Sequence, residues 1–179
     1  LREEIMFARQ YGPWALIAGG SEGVGASFAR KLAGEGLNLV LVARKPGPLT
    51  ALADELRTTR GVAVRELAQD LTAPDALDDI RAITDDIDIG LLIYNAGSVS
   101  GFAEFLDAPL EDALRMARLG VVAPTLLTHH FAGRMRPRGR GGIILIGSMA
   151  SYAGAPDEIV YSAGNAYSQH AGRGVVVRT

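Results

Sequence analysis

Three short stretches carry side chains and backbone able to do chemistry. Ala18-Gly19-Gly20-Ser21-Glu22-Gly23-Val24-Gly25 places four glycines in eight residues between an apolar run and a helical pattern. Backbone N–H groups there, with the positive end of the helix, can receive an anion such as a pyrophosphate. Val42-Ala43-Arg44-Lys45 ends a second apolar run on two cations, and a guanidinium suits a phosphate. Ser148 and Tyr161 stand thirteen residues apart and supply a hydroxyl and a phenol, groups that can hold an oxygen and exchange a proton with it. Their spacing alone assigns them no role. His129-His130 offers two imidazoles, but adjacent helical residues point about 100° apart and no third ligand stands nearby, so no metal is assigned.

The elements that must position these residues alternate along the chain. Strands are expected at Trp14–Ala18, Asn38–Ala43, Val62–Leu67, Ile89–Tyr94 and Gly142–Ile146, with Asn38–Ala43 nearly all apolar, as a parallel strand covered on both faces requires. Helices are expected at Gly23–Ala33, from Pro48 to about Thr59, at Pro74–Asp86 with Pro in the first turn, and over Pro109–Met135 with a break at Pro124. Strands separated by helices imply one parallel sheet with right-handed crossovers. The fold class is therefore α/β, a Rossmann-type doubly wound sheet.

Context makes the glycine run specific, because at the first βα turn of such a chain it is a dinucleotide fingerprint. At the end of the second strand a carboxylate would pair with the ribose 2'-hydroxyl of NAD, whereas a cation accommodates the 2'-phosphate of NADP. Ala43 and Arg44 favour NADP(H) over NAD(H); Glu22 within the glycine loop argues the other way. Gly19, Gly23 and Gly25 form G-x-x-x-G-x-G, which resembles the short-chain dehydrogenase/reductase family, with Ala18 where that family usually has Thr. The likeness extends over nearly all of residues 14 to 168.

That resemblance implies a strand order of 3-2-1-4-5 and a cofactor site built from Gly19, Ser21, Glu22, Gly23, Val24, Gly25, Arg44, Asp70, Leu71, Asn95, Ala96 and Gly97. Asp70-Leu71 is similar to the family's adenine-contacting pair; capping of the next helix is the alternative use of Asp70. Tyr94-Asn95-Ala96-Gly97 is similar to N-N-A-G with Tyr for the first Asn. Ser148 and Tyr161 match the catalytic serine and tyrosine, which implies hydride transfer between nicotinamide and an alcohol or carbonyl substrate. Two further catalytic positions differ. Asn165 stands where the family has the lysine of Tyr-x-x-x-Lys, and Gly120 stands where it has an Asn that holds a relay water. A cation about 4 Å from a phenolate is worth roughly 4 kcal/mol at an effective dielectric of 20, or about three pKa units, and Asn165 does not supply it. The resemblance thus implies either an NADP(H)-dependent oxidoreductase or a cofactor-binding remnant with impaired turnover.

Beyond residue 168 the likeness ends. His170–Thr179 has three β-branched residues in a row and no apolar stripe at helical spacing, so the helix carrying Tyr161 is not expected to continue there. Back-translated and read one nucleotide later, Gln169–Thr179 spells S-T-L-G-E-A-L-W-Y-E-L, similar to the family's own helix after the tyrosine. A one-base shift is the expectation for this 169–179 tail, leaving a Rossmann domain over 1–168 with the family's strands six and seven largely missing and the fifth strand at the sheet edge. Members of the family form homo-oligomers, an expectation that weakens for a shortened chain.

Bulk properties narrow the classes. With 179 residues, 48% hydrophobic and 21% charged, the chain suits one domain. A net charge of -2 argues against nucleic-acid or anionic-membrane partners, and the absence of cysteine excludes disulfides, thiolate metal sites and a cysteine nucleophile. No apolar run reaches membrane-spanning length and Leu1–Tyr11 lacks a secretory apolar core, so a cytoplasmic protein is expected. Arg134, Arg136, Arg138 and Arg140 read as a solvated turn rather than a surface for an acidic partner. Gly97–Phe105 is expected near the nicotinamide end and the substrate, with packing an equal use for its Phe102 and Phe105.

Overall fold

The computed structural model describes residues 8–97 and 103–174. Its five strands are β1 (Trp14–Ala18), β2 (Asn38–Ala43), β3 (Val64–Ala68), β4 (Ile89–Tyr94) and β5 (Gly142–Leu145). All pair in parallel, in the order β3-β2-β1-β4-β5. The helices are α1 (Gly23–Gly34), α2 (Pro46–Arg60), α3 (Ala76–Ala82), α4 (Leu110–Ala117), α5 (Ala123–Met135) and α6 (Ile159–Gly174). The architecture is the Rossmann-type doubly wound sheet.

Strand periodicity of two sorts the core into two layers. Ala15 and Ile17 of β1 face α1 and α2, where Ala29, Leu32, Leu49, Leu52 and Leu56 pack on Leu39, Leu41 and Ile93. Leu16 and Ala18 face the other way, onto Ile80, Leu127, Phe131 and Met135 of α3 and α5. Both faces of β1, β2 and β4 are covered, which is why these strands read as unbroken apolar runs. Among the described residues β5 pairs with β4 alone, and Ile144 at its middle is 38% exposed.

Four expectations need correction. α3 stops at Ala82 rather than Asp86, giving way to tight turns in which the Thr84 amide bonds the Arg81 carbonyl (3.0 Å) and the Ile87 amide the Thr84 carbonyl (3.2 Å), and arginines from elsewhere cap the carbonyls left over: Arg65 bonds Ile83, and Arg134 bonds Thr84 (3.1 Å), Asp85 (3.2 Å) and Ile87 (3.0 Å). The arginine loop is therefore not a solvated turn. Arg134 also pairs with Asp85, Arg138 pairs with Asp88 and donates to the Ile89 carbonyl, and Arg140 reaches the Arg9 carbonyl, leaving Arg136 as the free member among described residues. The long helical stretch is broken by a widened, π-helical segment, Arg118–Val122, just ahead of Pro124. Finally, α6 continues to Gly174, held by burial of Ser168 and by Gln169 Nε2 donating to Tyr152 Oη at 2.6 Å. Residues 175–179 and Phe102 lie outside the described residues.

Candidate active site

The glycine loop is shaped by contacts that only glycine permits. Gly19 has φ +81° and lies so close to β4 that a Cβ there would meet the Ala96 backbone nitrogen at 2.7 Å; a Cβ on Gly25 would meet the Gly19 carbonyl oxygen at 2.0 Å. Asn95 fixes the same turn, its Nδ2 donating to the Gly19 carbonyl at 3.0 Å and its backbone N–H to Ala18 at 2.8 Å. The Gly19 amide donates to Val42 of β2 at 2.8 Å. The loop thereby delivers the chain into α1, whose Ala26 N–H bonds the Glu22 carbonyl (3.2 Å), leaving the amides before it to face an incoming anion.

At the carboxyl ends of the strands a cleft opens over this loop. Gly19, Ser21, Glu22, Arg44, Asp70, Leu71, Asn95, Ala96 and Gly97 all line it, while Gly23, Val24 and Gly25, at the start of α1, lie outside its wall. Its charges are two carboxylates, Glu22 and Asp70, and three cations, Arg44, Lys45 and Arg115, a net of +1. Four of the five are spent on each other: Lys45 Nζ donates to Glu22 Oε2 at 3.0 Å, and Arg115 Nη2 to Asp70 Oδ2 at 2.7 Å. Arg44 is exposed and, among the described residues, has no partner. Asp70 also accepts from the Thr72 amide (3.0 Å) and hydroxyl (2.8 Å). Partial burial pushes its carboxyl up, but the Thr72 donors and the Arg115 guanidinium outweigh that and hold it below the ordinary carboxylate range. Asp70 thus closes its own turn and caps no helix; α3 begins after Asp75.

A second, small cavity adjoins the cleft through Ala96, Gly97 and Leu119, and it gathers Gly120, Tyr161 and Asn165. Tyr161 and Asn165 are one turn apart on α6, as the i, i+4 spacing requires. Asn165 turns its amide back on its own helix, Nδ2 donating to the Tyr161 carbonyl at 2.9 Å, and no Lys or Arg lines this cavity. Gly120 sits within the π segment against Gly164; a Cβ on either would meet the other's Cα at 3.2 Å, so the two glycines let α6 cross the segment closely. Ser148 is not in the cavity wall. It follows β5 and opens the 3-10 turn Met149–Tyr152, its hydroxyl accepting from the Ala150 amide at 3.3 Å. The bond between Gln169 and Tyr152 ties that turn to α6, and so ties Ser148 to Tyr161.

Sequence reading missed two residues here, Arg115 and Leu119, and the contact that Tyr94 makes. Arg115 and Leu119 reach the cleft from α4 and the π segment, and Tyr94 lines the small cavity. Tyr94 is almost fully buried, and its hydroxyl donates to the Leu119 carbonyl at 2.6 Å. Burial and the nearby Asp70 charge push its phenol well above the ordinary range, keeping it a donor. No local pattern marks these contacts, since the partners are distant in sequence. Among the described residues no three His, Cys, Asp or Glu side chains cluster as metal ligands, and no described helix is long and apolar enough to cross a membrane.

Known proteins share this architecture. A family profile described as short chain dehydrogenase matches residues 13–173. The chain is 34% identical over 158 residues to a 7beta-hydroxysteroid dehydrogenase of Collinsella aerofaciens, covering 88% of this chain and 60% of that one. It therefore spans about 60% of the length of this relative. A short-chain dehydrogenase from Sphingobium yanoikuyae in complex with NADPH superposes with a TM-score of 0.85 at 37% identity, over 91% of this chain and 64% of that one. An NAD+-bound xylitol dehydrogenase superposes with a TM-score of 0.79 at 25% identity, over 89% and 62% of the two chains.

Proposed function

This chain belongs to the short-chain dehydrogenase family, and on that premise we propose that its cleft binds NADP(H) in preference to NAD(H) and serves reduction or oxidation of a small carbonyl or alcohol. The observation that carries the cofactor choice is Arg44. It is the cleft cation with no partner among the described residues, it follows β2 where the ribose 2'-position is read, and Ala43 puts no carboxylate beside it. Glu22, which in isolation would repel a 2'-phosphate, is neutralised by Lys45 at 3.0 Å.

The residues present fit a dinucleotide. The Gly19–Gly25 contact holds open the α1 terminus for the pyrophosphate, and Asp70 and Leu71 border the opposite end of the cleft. When bound, the nicotinamide supplies or accepts the hydride. Tyr161 Oη exchanges the proton with the substrate oxygen, and the Ser148 hydroxyl, one lone pair of which accepts from the Ala150 amide, donates its O–H to that oxygen. Reduction leaves Tyr161 as a phenolate that must recover a proton from solvent. Asn165, folded onto its own helix, brings no positive charge to that phenolate.

This last point favours a second reading, a cofactor-binding protein with little turnover. Titration with NADPH followed by assay of the chain and its Asn165→Lys version against a panel of ketones separates the two. The oxidoreductase reading expects measurable turnover in both, raised by roughly 10²-fold in the lysine version. Saturable NADPH binding with turnover in neither supports the second reading, and no NADPH binding sinks both.

A further inference from the structure

The geometry points to Arg115 as a further cofactor-binding residue, one that walls the adenine end of the cleft and sets affinity for the dinucleotide without choosing between its two forms. This rests on the dinucleotide reading above. Arg115 comes from α4, whereas Asp70 follows β3, and their 2.7 Å bond joins the two elements in the wall of the cleft that both residues line. The carboxylate is held from both sides. Oδ1 accepts the Thr72 amide and hydroxyl, and Oδ2 accepts Arg115, so the guanidinium is anchored to a carboxylate held on both oxygens.

The pair is placed to be used. Side-chain exposures of 46% for Arg115 and 38% for Asp70 leave both accessible from the cleft instead of sealed beneath it. An anchored guanidinium presents a planar cationic face on which a purine can stack. A carboxylate oxygen has two lone pairs, and Arg115 takes one from Oδ2, leaving the other for an exocyclic amine. Charge points the same way. Without Arg115, the cleft falls from +1 to zero and an uncompensated carboxylate faces a polyanion. Arg44 and Arg115 therefore divide the labour: the first reads the 2'-phosphate, the second holds the part that NADPH and NADH share.

Calorimetric titration of the wild-type chain, Arg115→Met and Arg44→Met with NADPH and with NADH tests this division. Arg115→Met is expected to weaken both ligands by about tenfold, with the NADPH to NADH ratio unchanged within about twofold. Arg44→Met should change the ratio instead. Wild-type affinity for both ligands in Arg115→Met would make the pair purely structural and overturn the proposal. A loss confined to NADPH would also overturn it, by making Arg115 a second phosphate ligand. If Arg115→Met does not fold, Arg115→Lys keeps the charge and lacks the planar face; it should lose roughly fivefold on both ligands, and unchanged affinity there overturns the stacking role. Absence of any binding by wild type defeats the dinucleotide reading itself, a result distinct from each of these.

Discussion

The Tyr94 hydroxyl donates to the carbonyl oxygen of Leu119 at 2.6 Å, joining the end of β4 to the π-helical segment that carries Gly120. A π segment frees carbonyls from the regular ladder, and here hydroxyls claim two of them. Thr125 Oγ1 takes Val121 at 2.6 Å and lies 2.6 Å from Tyr167 Oη on α6. The segment is therefore pinned from the sheet and contacts α6 beside the proposed proton donor.

Replacing Tyr94 with Phe should cost about 1–2 kcal/mol at neutral pH, because Leu119 loses its donor within a largely buried site. Folding raises this phenol above its unfolded value near 10. The native state then binds more protons than the unfolded chain once pH exceeds about 10, so the contribution is complete below that pH and declines above it. Denaturant melts between pH 8 and 11 should show wild type losing stability faster than Tyr94→Phe at the alkaline end. Parallel curves would contradict this role.

The arginine turn yields a paired test. Arg134 bonds three carbonyls and Asp85, whereas Arg136 has no partner among the described residues. Arg134→Met should lower stability by roughly 2 kcal/mol or more, and Arg136→Met by less than about 0.5 kcal/mol. For a domain of this size the first is a fall of about 4–8 °C in Tm and the second is scarcely measurable. Equal effects would show that the carbonyl clamps contribute little.

The core was readable and its long-range fastenings were not. β1, β2 and β4 announce themselves because burial on both faces demands unbroken apolar sequence. Gly19, Gly23 and Gly25 are legible since the turn needs glycine whatever surrounds it. By contrast, the carbonyls after α3 are capped by Arg65 and Arg134, which lie well away in the chain, and no propensity in Ile83–Asp86 reports that. α6 runs past Ser168 despite a poor apolar stripe, because tertiary contacts such as Gln169 with Tyr152 override local pattern. Arg115 looked like any exposed helical cation; only the fold brings it to Asp70.

Ser148 offers a prediction about division of roles. Its hydroxyl caps a turn through Ala150 at 3.3 Å but lines neither the cleft nor the cavity of Tyr161. Ser148→Ala should leave NADPH affinity within about twofold of wild type while lowering any measured turnover by roughly 10²-fold. A large loss of NADPH affinity would assign Ser148 to the cofactor site instead.

The central claim is that an unpaired Arg44 at the end of β2 selects the phosphorylated cofactor. The most direct measurement is the ratio of NADPH to NADH dissociation constants for the wild-type chain and for a version carrying Ala43→Asp and Arg44→Ala. Wild type should bind NADPH at least about tenfold more tightly than NADH, as one charge-assisted phosphate contact provides, and the double substitution should reverse that order. Equal binding of the two cofactors by wild type, or a preference untouched by the double substitution, would contradict the account.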